Sequence, residues 1–263
     1  MEFNADTPTS LLEASVIQWQ WKEDVFPECD QFNGIHEGLV QSWKDIFPKK
    51  GEIYFAGALE NNEDTGTLQY LASTAMEAGF STRVLDMQAL DLQNGRFFDP
   101  AGELVNRCFK LYPWEWMVDE SPDGCLAEME WLEPIWKLVM SNKAILATLY
   151  ELFPDSPYVL PCYLSRPRSG LFCKKPVFSR EGHNVSVVDI RNWEEHVRIA
   201  ETEGDYNTGA YVYQEYVEPT VYSGRYPVIG SWIIGGEAAG IGIRENRMEV
   251  TDNLSEFVPH IIG

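Results

Sequence analysis

Phe172–Val188 reads FCKKPVFSREGHNVSVV, a strand ending in Lys175 and Pro176, a loop Ser179-Arg180-Glu181-Gly182-His183-Asn184, and a second strand Val185–Asp189. A basic side chain leaving a strand, followed by a small-residue loop with its own Arg180, suits a polyphosphate. Backbone N–H groups of such a loop bind phosphate oxygens while Lys and Arg offset the charge. The same residues also suit a β-hairpin whose basic side chains are merely solvated. No G-x-x-x-x-G-K-[ST] occurs, so the loop is not a Walker P-loop. Lys143 follows a helix break at Ser141-Asn142, and Arg244 ends the strand Ala238–Ile243. With Lys175 these are three cations at element ends, where loops build sites, and they could converge on a triphosphate. Each taken singly reads equally as a solvated charge. Glu2 and Asn4, two apart on the tail of a strand, would share one face. A carboxylate and an amide oxygen suit Mg²⁺, which takes one or two protein oxygens beside nucleotide phosphates. Alone, such a pair is also an ordinary surface feature.

Other patterns are excluded or stay neutral. Gly235-Gly236 and Gly240-x-Gly242 lack the third glycine and the following helix of a dinucleotide fingerprint, and fit a hairpin turn and a close-lying strand instead. No G-x-S-x-G elbow exists, and His36, His183, His196 and His260 sit in unrelated contexts. Only His183 lies near the proposed chemistry, where it also reads as a satisfied loop histidine. Tyr211–Val217 is a buried-looking strand with a polar end, either a core strand or one presenting backbone groups to an adenine edge. Trp114 and Trp116 read as packing residues, with Glu115 between them able to reach a site.

The elements that must position these residues follow from periodicity. Helices are expected from Leu11 to about Glu23 and over about Gln31–Ile46, the second with Ile35, Leu39, Trp43 and Ile46 at helical spacing. Strand Ile53–Leu59, helix Asp64–Ala78 and strand Thr82–Asp86 predict a parallel pair with a crossover. The connection Glu60–Asp64 then lies at the carboxyl end of the first strand, where open α/β sheets bind ligands. Gly95–Gly102 reads as turn-rich, Leu104–Leu111 as one strand and Ser121–Gly124 as a loop. A broken helix covers Ile135–Leu152. From Leu171 the pattern turns to β: Phe172–Lys175, Val185–Asp189, Ala210–Val217, Tyr226–Ile234 and Ala238–Ile243, with one helix expected at Trp193–Ala200.

Length and composition bound the function. The chain has 263 residues, with 44% hydrophobic and 13% aromatic, enough for one large or two smaller folded domains. A formal net charge of −21 argues against nucleic acid and favours cationic partners such as polyamines. Acidity for solubility alone reads as well, so any polyphosphate site must be a local basic island. The five cysteines show no metal-ligand spacing, which points to reduced thiols in the cytoplasm. No apolar run approaches the ~18 residues of a membrane span, and no signal peptide opens the chain. The start, entering at once on what reads as the end of a strand, suggests an upstream portion.

Taken together, EFNADTPTSLLEA, LYPWE, SNKAIL, KKPVFSREGHNVSVV, YPVIGSWIIGGEAAGIGIRE and TDNLSEFVPHII resemble the synthetase domain of the glutathionylspermidine synthase family, a branch of the ATP-grasp ligases. The blocks run in family order along the whole chain, and the likeness is strongest to the family's stand-alone members, which lack an amidase domain. The resemblance implies an α/β (α+β) ATP-grasp fold, with mixed sheets gripping nucleotide. Residues 1–50 would be part of the core, 51–120 an inserted α/β substrate-binding unit, and 121–263 the lid and core. It implies ATP and Mg²⁺, and ligation of a small peptide or other carboxylate to an amine through an acyl phosphate. By resemblance Glu2 and Asn4 are metal ligands, Lys143 and Lys175 phosphate lysines, and Gln214, Glu215, Tyr216 and Val217 line adenine. Arg244 would sit at the phosphoryl-transfer centre and Arg180 on a mobile loop approaching the peptide. Thr7 and Thr9 match serines contacting that peptide, and Glu63 and Asp64 match acids near the polyamine.

The family carries an Arg and an Asp about fifteen residues before the metal pair, upstream of Met1, and Asn253 and Glu256 stand where it has a Lys and an Asp. Those departures keep open an alternative, a truncated or degenerate module that binds nucleotide or a polycation without catalysis. An acidic scaffold protein rests on charge alone.

Overall fold

The computed structural model describes residues 2–199, 201–206, 209–250 and 255–263. The chain divides into two compact units, one of Asn4–Leu138, Ile229–Ile243 and Phe257–Gly263, the other of Met1–Phe3, Val139–Val228 and Arg244–Glu256.

The first unit is built on a parallel sheet. A π-helical turn Glu13–Ile17 leads into α1 (Gln18–Val25), followed by α2 (Ile35–Ile46). Then come β1 (Glu52–Gly57), α3 (Asn62–Glu77) and β2 (Ser81–Asp86). β1 and β2 pair in parallel, as the strand–helix–strand pattern predicts. Short strands β3 (Asp91–Gln93), β4 (Arg96–Phe98) and β5 (Leu104–Val105) make a separate antiparallel sheet. β6 (Arg107–Leu111), α4 (Trp114–Glu120), α5 (Pro122–Cys125), β7 (Glu130–Leu132) and α6 (Lys137–Ser141) follow. The sheet order is β2-β1-β6-β7, every pair parallel.

Side-chain alternation explains why β1 reads as a continuous apolar run. Ile53 and Phe55 enter the core under α2 and α3, while Tyr54 and Ala56 enter a second core with Cys108, Trp114, Met117 and Trp131. α2 turns Ile35, Val40 and Trp43 inward, and the Trp43 indole N–H donates to Thr74 Oγ1 of α3 at 2.9 Å. α3 opens on Asn61, whose side chain accepts from Glu63 N at 2.9 Å, and stops at Gly79 with φ +95°.

The second unit is antiparallel. α7 (Ile145–Leu152) precedes β8 (Cys162–Tyr163), β9 (Gly170–Pro176), β10 (Ser186–Arg191), β11 (Glu194–Ile199) and β12 (Tyr211–Glu215). These strands order as β11-β10-β9-β12-β8. α7 packs on one face through Leu146, Ala147, Cys162 and Val212; Phe172, Val188, Ile190 and Tyr213 cluster on the other. β13 (Tyr226–Ile234), β14 (Glu237–Asn246) and β15 (Glu256–Val258) complete the chain as a three-stranded sheet, of which Ile229–Ile243 belongs to the first unit. Gly235 and Gly236, at φ +61° and +91°, make the β13–β14 turn expected of them. Among the described residues no helix is long and apolar enough to cross a membrane.

Several expectations are corrected. Trp193–Ala200 is not a helix: Glu194–Ile199 is β11, and Ala200 lies outside the described residues. Trp193 and Val197 have helical spacing, but Asn192 and Trp193 both take left-handed φ (51° and 71°) and turn β10 back on itself. Leu104–Leu111 divides at Asn106 into β5 and β6, which belong to different sheets. Ser121–Gly124 is largely helical, because Ser121 O accepts the Gly124 N–H at 2.9 Å. Residues 2–4 form no strand.

Candidate active site

Two elements of the second unit bring Lys143 and Lys175 together. Asn142 Oδ1 accepts from Ala144 N at 2.8 Å and so starts α7, while Lys143 N donates to Val177 O at 2.9 Å. This fixes Lys143 beside the end of β9. Its side chain is 4% exposed, donating to Ser179 O at 2.6 Å with Glu2 Oε1 3.4 Å away. Burial lowers the Lys143 pKa, Glu2 opposes that, and the charges of Lys175 and Arg180 lower it further. Lys175, Arg180 and Glu2 therefore all act on Lys143. The resemblance pointed to these four residues.

Lys175 stands on the sheet face that α7 covers. Its Nζ donates to Gln214 Oε1 at 3.0 Å, and Gln214 lies in register between Cys173 and Cys162. Burial pushes both thiols up, which leaves them as inert flooring, while Lys175 pulls them the other way. Lys174 points to the opposite face. There Glu195 of β11 accepts from Lys174 Nζ at 2.9 Å and from the Tyr213 hydroxyl at 2.6 Å. One carboxylate thus ties β11 to β9 and β12. The alternation of Lys174 and Lys175 was the available signal for it, but no sequence spacing pointed to Glu195.

The loop 179–184 is anchored at several points. Glu181, Gly182 and Asn184 take φ of 57°, 70° and 54°. Asn184 N donates to Thr202 O at 3.1 Å, Thr202 N to Val185 O at 3.0 Å, and Tyr206 N to Asn184 Oδ1 at 2.8 Å. Thr202 Oγ1 also bonds Gly182 O. Thr202 and Tyr206 were not singled out from sequence, since Thr202 bonds backbone groups of that loop and Tyr206 meets Asn184 through its own backbone N–H. His183 Nε2 lies 3.8 Å from Glu181 Oε2, a local contact.

At the exit of β12, Glu215 N donates to Pro161 O at 2.7 Å and Tyr216 N to Leu171 O at 3.0 Å. Val217 is exposed, and the Tyr216 hydroxyl bonds Glu249. Arg244 is half-buried near the end of β14. Asn253 lies outside the described residues, and Glu256 pairs with Arg225 at 2.9 Å.

The remaining candidates belong to the first unit. Thr7 is buried, Thr9 and Asn4 are exposed. Beside Thr7, Asp6 Oδ2 accepts from Trp114 N at 3.0 Å and so caps α4. Glu63 and Asp64 sit in the first turn of α3, where the helix dipole favours carboxylates independently of any amine. Lys110 is fully buried, donates to Tyr112 O at 2.7 Å and lies 4.2 Å from the Trp114 ring centre. Sequence reading passed over it as one residue of a strand.

The donor set fits nucleotide phosphates. Lys143 and Lys175 supply ammonium groups, Arg180 a guanidinium, and Glu2 a carboxylate beside them of the kind Mg²⁺ shares with phosphate oxygens. Among the described residues no cluster of three His, Cys, Asp or Glu side chains could hold a metal unaided.

Comparison with known proteins bears on the same reading. A Haemophilus influenzae protein named as a candidate acid–amine ligase is 38% identical over 98% of this chain and 70% of its own length. Trypanothione synthetase of Crithidia fasciculata is 28% identical over 97% of this chain. The bifunctional glutathionylspermidine synthetase/amidase of Escherichia coli is 26% identical over 99%. The chain spans about half the length of these last two, 43% and 46%. A solved structure, a candidate gamma-glutamylcysteine synthetase of Methylobacillus flagellatus, shares the fold with a TM-score of 0.56. It is 10% identical and covers 93% of this chain and 84% of its own. The profile of the glutathionylspermidine synthase preATP-grasp family matches residues 1–263, and the chain belongs to that family.

Proposed function

We propose that the chain is the synthetase part of an ATP-dependent acid–amine ligase that joins a carboxylate to an amine through an acyl phosphate. The observation that carries this is a buried ammonium, Lys143, with two further cations acting on it, in a chain of formal charge −21. Gathering like charges costs free energy unless a polyanion completes the site. Lys143 and Lys175 hold the phosphates, with Glu2 and Asn4 as metal ligands. Mg²⁺ would neutralise charge on the transferred group. Arg244 and Arg180 stabilise the charge that moves when the substrate carboxylate attacks the γ-phosphorus. The amine nitrogen then attacks the acyl carbon and phosphate leaves. Gln214, Glu215, Tyr216 and Val217 border adenine. Thr7 and Thr9 contact a peptide acid, and Glu63 and Asp64 receive the ammonium group of a polyamine. This assigns residues 51–120 to substrate binding. The five free thiols fit a cytoplasmic enzyme.

The test combines binding with turnover. A saturating excess of MgATP raises the stability of the chain by ~2–3 kcal/mol in thermal unfolding. Losing a charged hydrogen bond in Lys175→Ala weakens ATP binding ~10–100-fold. Equal stabilisation of both proteins rules Lys175 out as a phosphate ligand. ADP and phosphate appear only when glutathione-like acid and polyamine are both present. Binding without any ADP leaves the non-catalytic nucleotide module.

A further inference from the structure

The outer edge of β11 carries a charge pattern that matches itself. β11 is the last strand of its sheet, and no strand among the described residues covers its far side. The two-residue turn Asn192-Trp193, with both residues left-handed, is closed by the facing pair Arg191 and Glu194. Such a closing pair exchanges both of its backbone hydrogen bonds, and direction alternates along the strand from there. Glu194 and His196 therefore spend their N–H and C=O groups on β10. Glu195 and Val197 turn theirs outward.

We propose that this edge pairs antiparallel with the same edge of a second copy, about a two-fold axis at His196. Centring the axis there sets Glu195 against Val197 of the partner copy, so the outward backbone groups of both are satisfied, two hydrogen bonds for each of the two pairs. The same register places Glu194 opposite Arg198 of the partner copy, twice. His196 and Glu194 share the face of Asp189 and Arg191, and Arg198, the extra residue where the β10 register shifts between Val197 and Ile199, also acts on Asp189. A shift by one residue would set Glu194 against Ile199 and lose both charge pairs. The hydrogen-bonding register and the charge-matching register are thus the same one. The Glu195 carboxylate is held by Lys174 and Tyr213 on the other face and does not interfere. Val197 and Trp193, 60% and 51% exposed, lie along the seam and supply its apolar area. Charged residues usually guard an edge strand against pairing. Here the guard is complementary to itself in one register, which selects a second copy over unrelated strands.

Sedimentation of the whole 263-residue chain over a hundredfold concentration range tests this, since mass action must shift a monomer–dimer equilibrium. A dimer is expected. Arg198→Glu and Glu194→Arg each weaken it about tenfold, because like charges then face each other twice. The double variant restores it. Val197→Pro removes an N–H that points away from β10, so it abolishes the dimer while leaving the thermal unfolding of the monomer nearly unchanged. A chain of monomer mass at every concentration overturns the proposal. So does a dimer indifferent to Val197→Pro or to the single charge reversals, or a double variant that fails to recover.

Discussion

At the scale of single residues, Lys143 shows how burial and neighbours set function together. Desolvation and two cations lower its pKa, so it sheds its proton before an ordinary lysine would. A neutral Lys143 cannot pair with phosphate. ATP affinity should therefore fall as pH rises towards the lysine range, and calorimetric titration against pH should place the fall earlier than for an unburied lysine. In Lys143→Arg the fall should disappear from that range, because a guanidinium stays charged. Lys174 and Lys175 teach a related lesson. The pair is visible as KK in the sequence, but two residues of one type take opposite roles because a strand sends them to opposite faces.

Among the elements, β1 depends on a residue with no side chain. A Cβ at Gly57 would lie 2.9 Å from Leu68 Cδ1 and 3.0 Å from Leu111 O, so α3 and β6 both approach the strand too closely for alanine. Gly57→Ala should destabilise the first unit by ~1–3 kcal/mol, read as a lower midpoint in urea. The parallel unit was legible because its signals agree: apolar runs for buried strands, and Leu68, Leu71 and Ala75 at helical spacing. β11 was not legible. Its spacing suits a helix, and only the left-handed turn at Asn192-Trp193 and the pairing with β10 decide for a strand.

For the molecule as a whole, a partly buried polar network ties distant parts of the first unit. His260 Nδ1 bonds Gln18 Oε1 at 3.0 Å, and Phe32 N donates to His260 Nε2 at 3.1 Å. Gln31 Nε2 reaches both Gln18 O and His260 O, at 2.9 and 2.8 Å. The arrangement needs a neutral imidazole, and burial holds His260 below its ordinary pKa. Below that ordinary value the unfolded chain takes up a proton that the folded chain refuses, so stability must fall as pH drops. Thermal unfolding at about pH 7.5 and 5.5 should show a lower midpoint at the acid value, with a smaller drop in His260→Gln.

By itself the sequence determined which residue types stand at element ends, the parallel strand–helix–strand unit, the β-rich second half and the family. Each of these rests on local spacing or on ordered blocks of residues, and neither requires knowing what meets what. Only the tertiary structure decided that Lys143 is buried against Ser179 and Glu2, that Thr202 pins the loop, and that Glu195 braces the lysine strand from behind. Those contacts join residues far apart in the chain, Glu2 with Lys143 above all. Their energies come from desolvation and pairing, which no stretch of sequence contains until the sheet has formed.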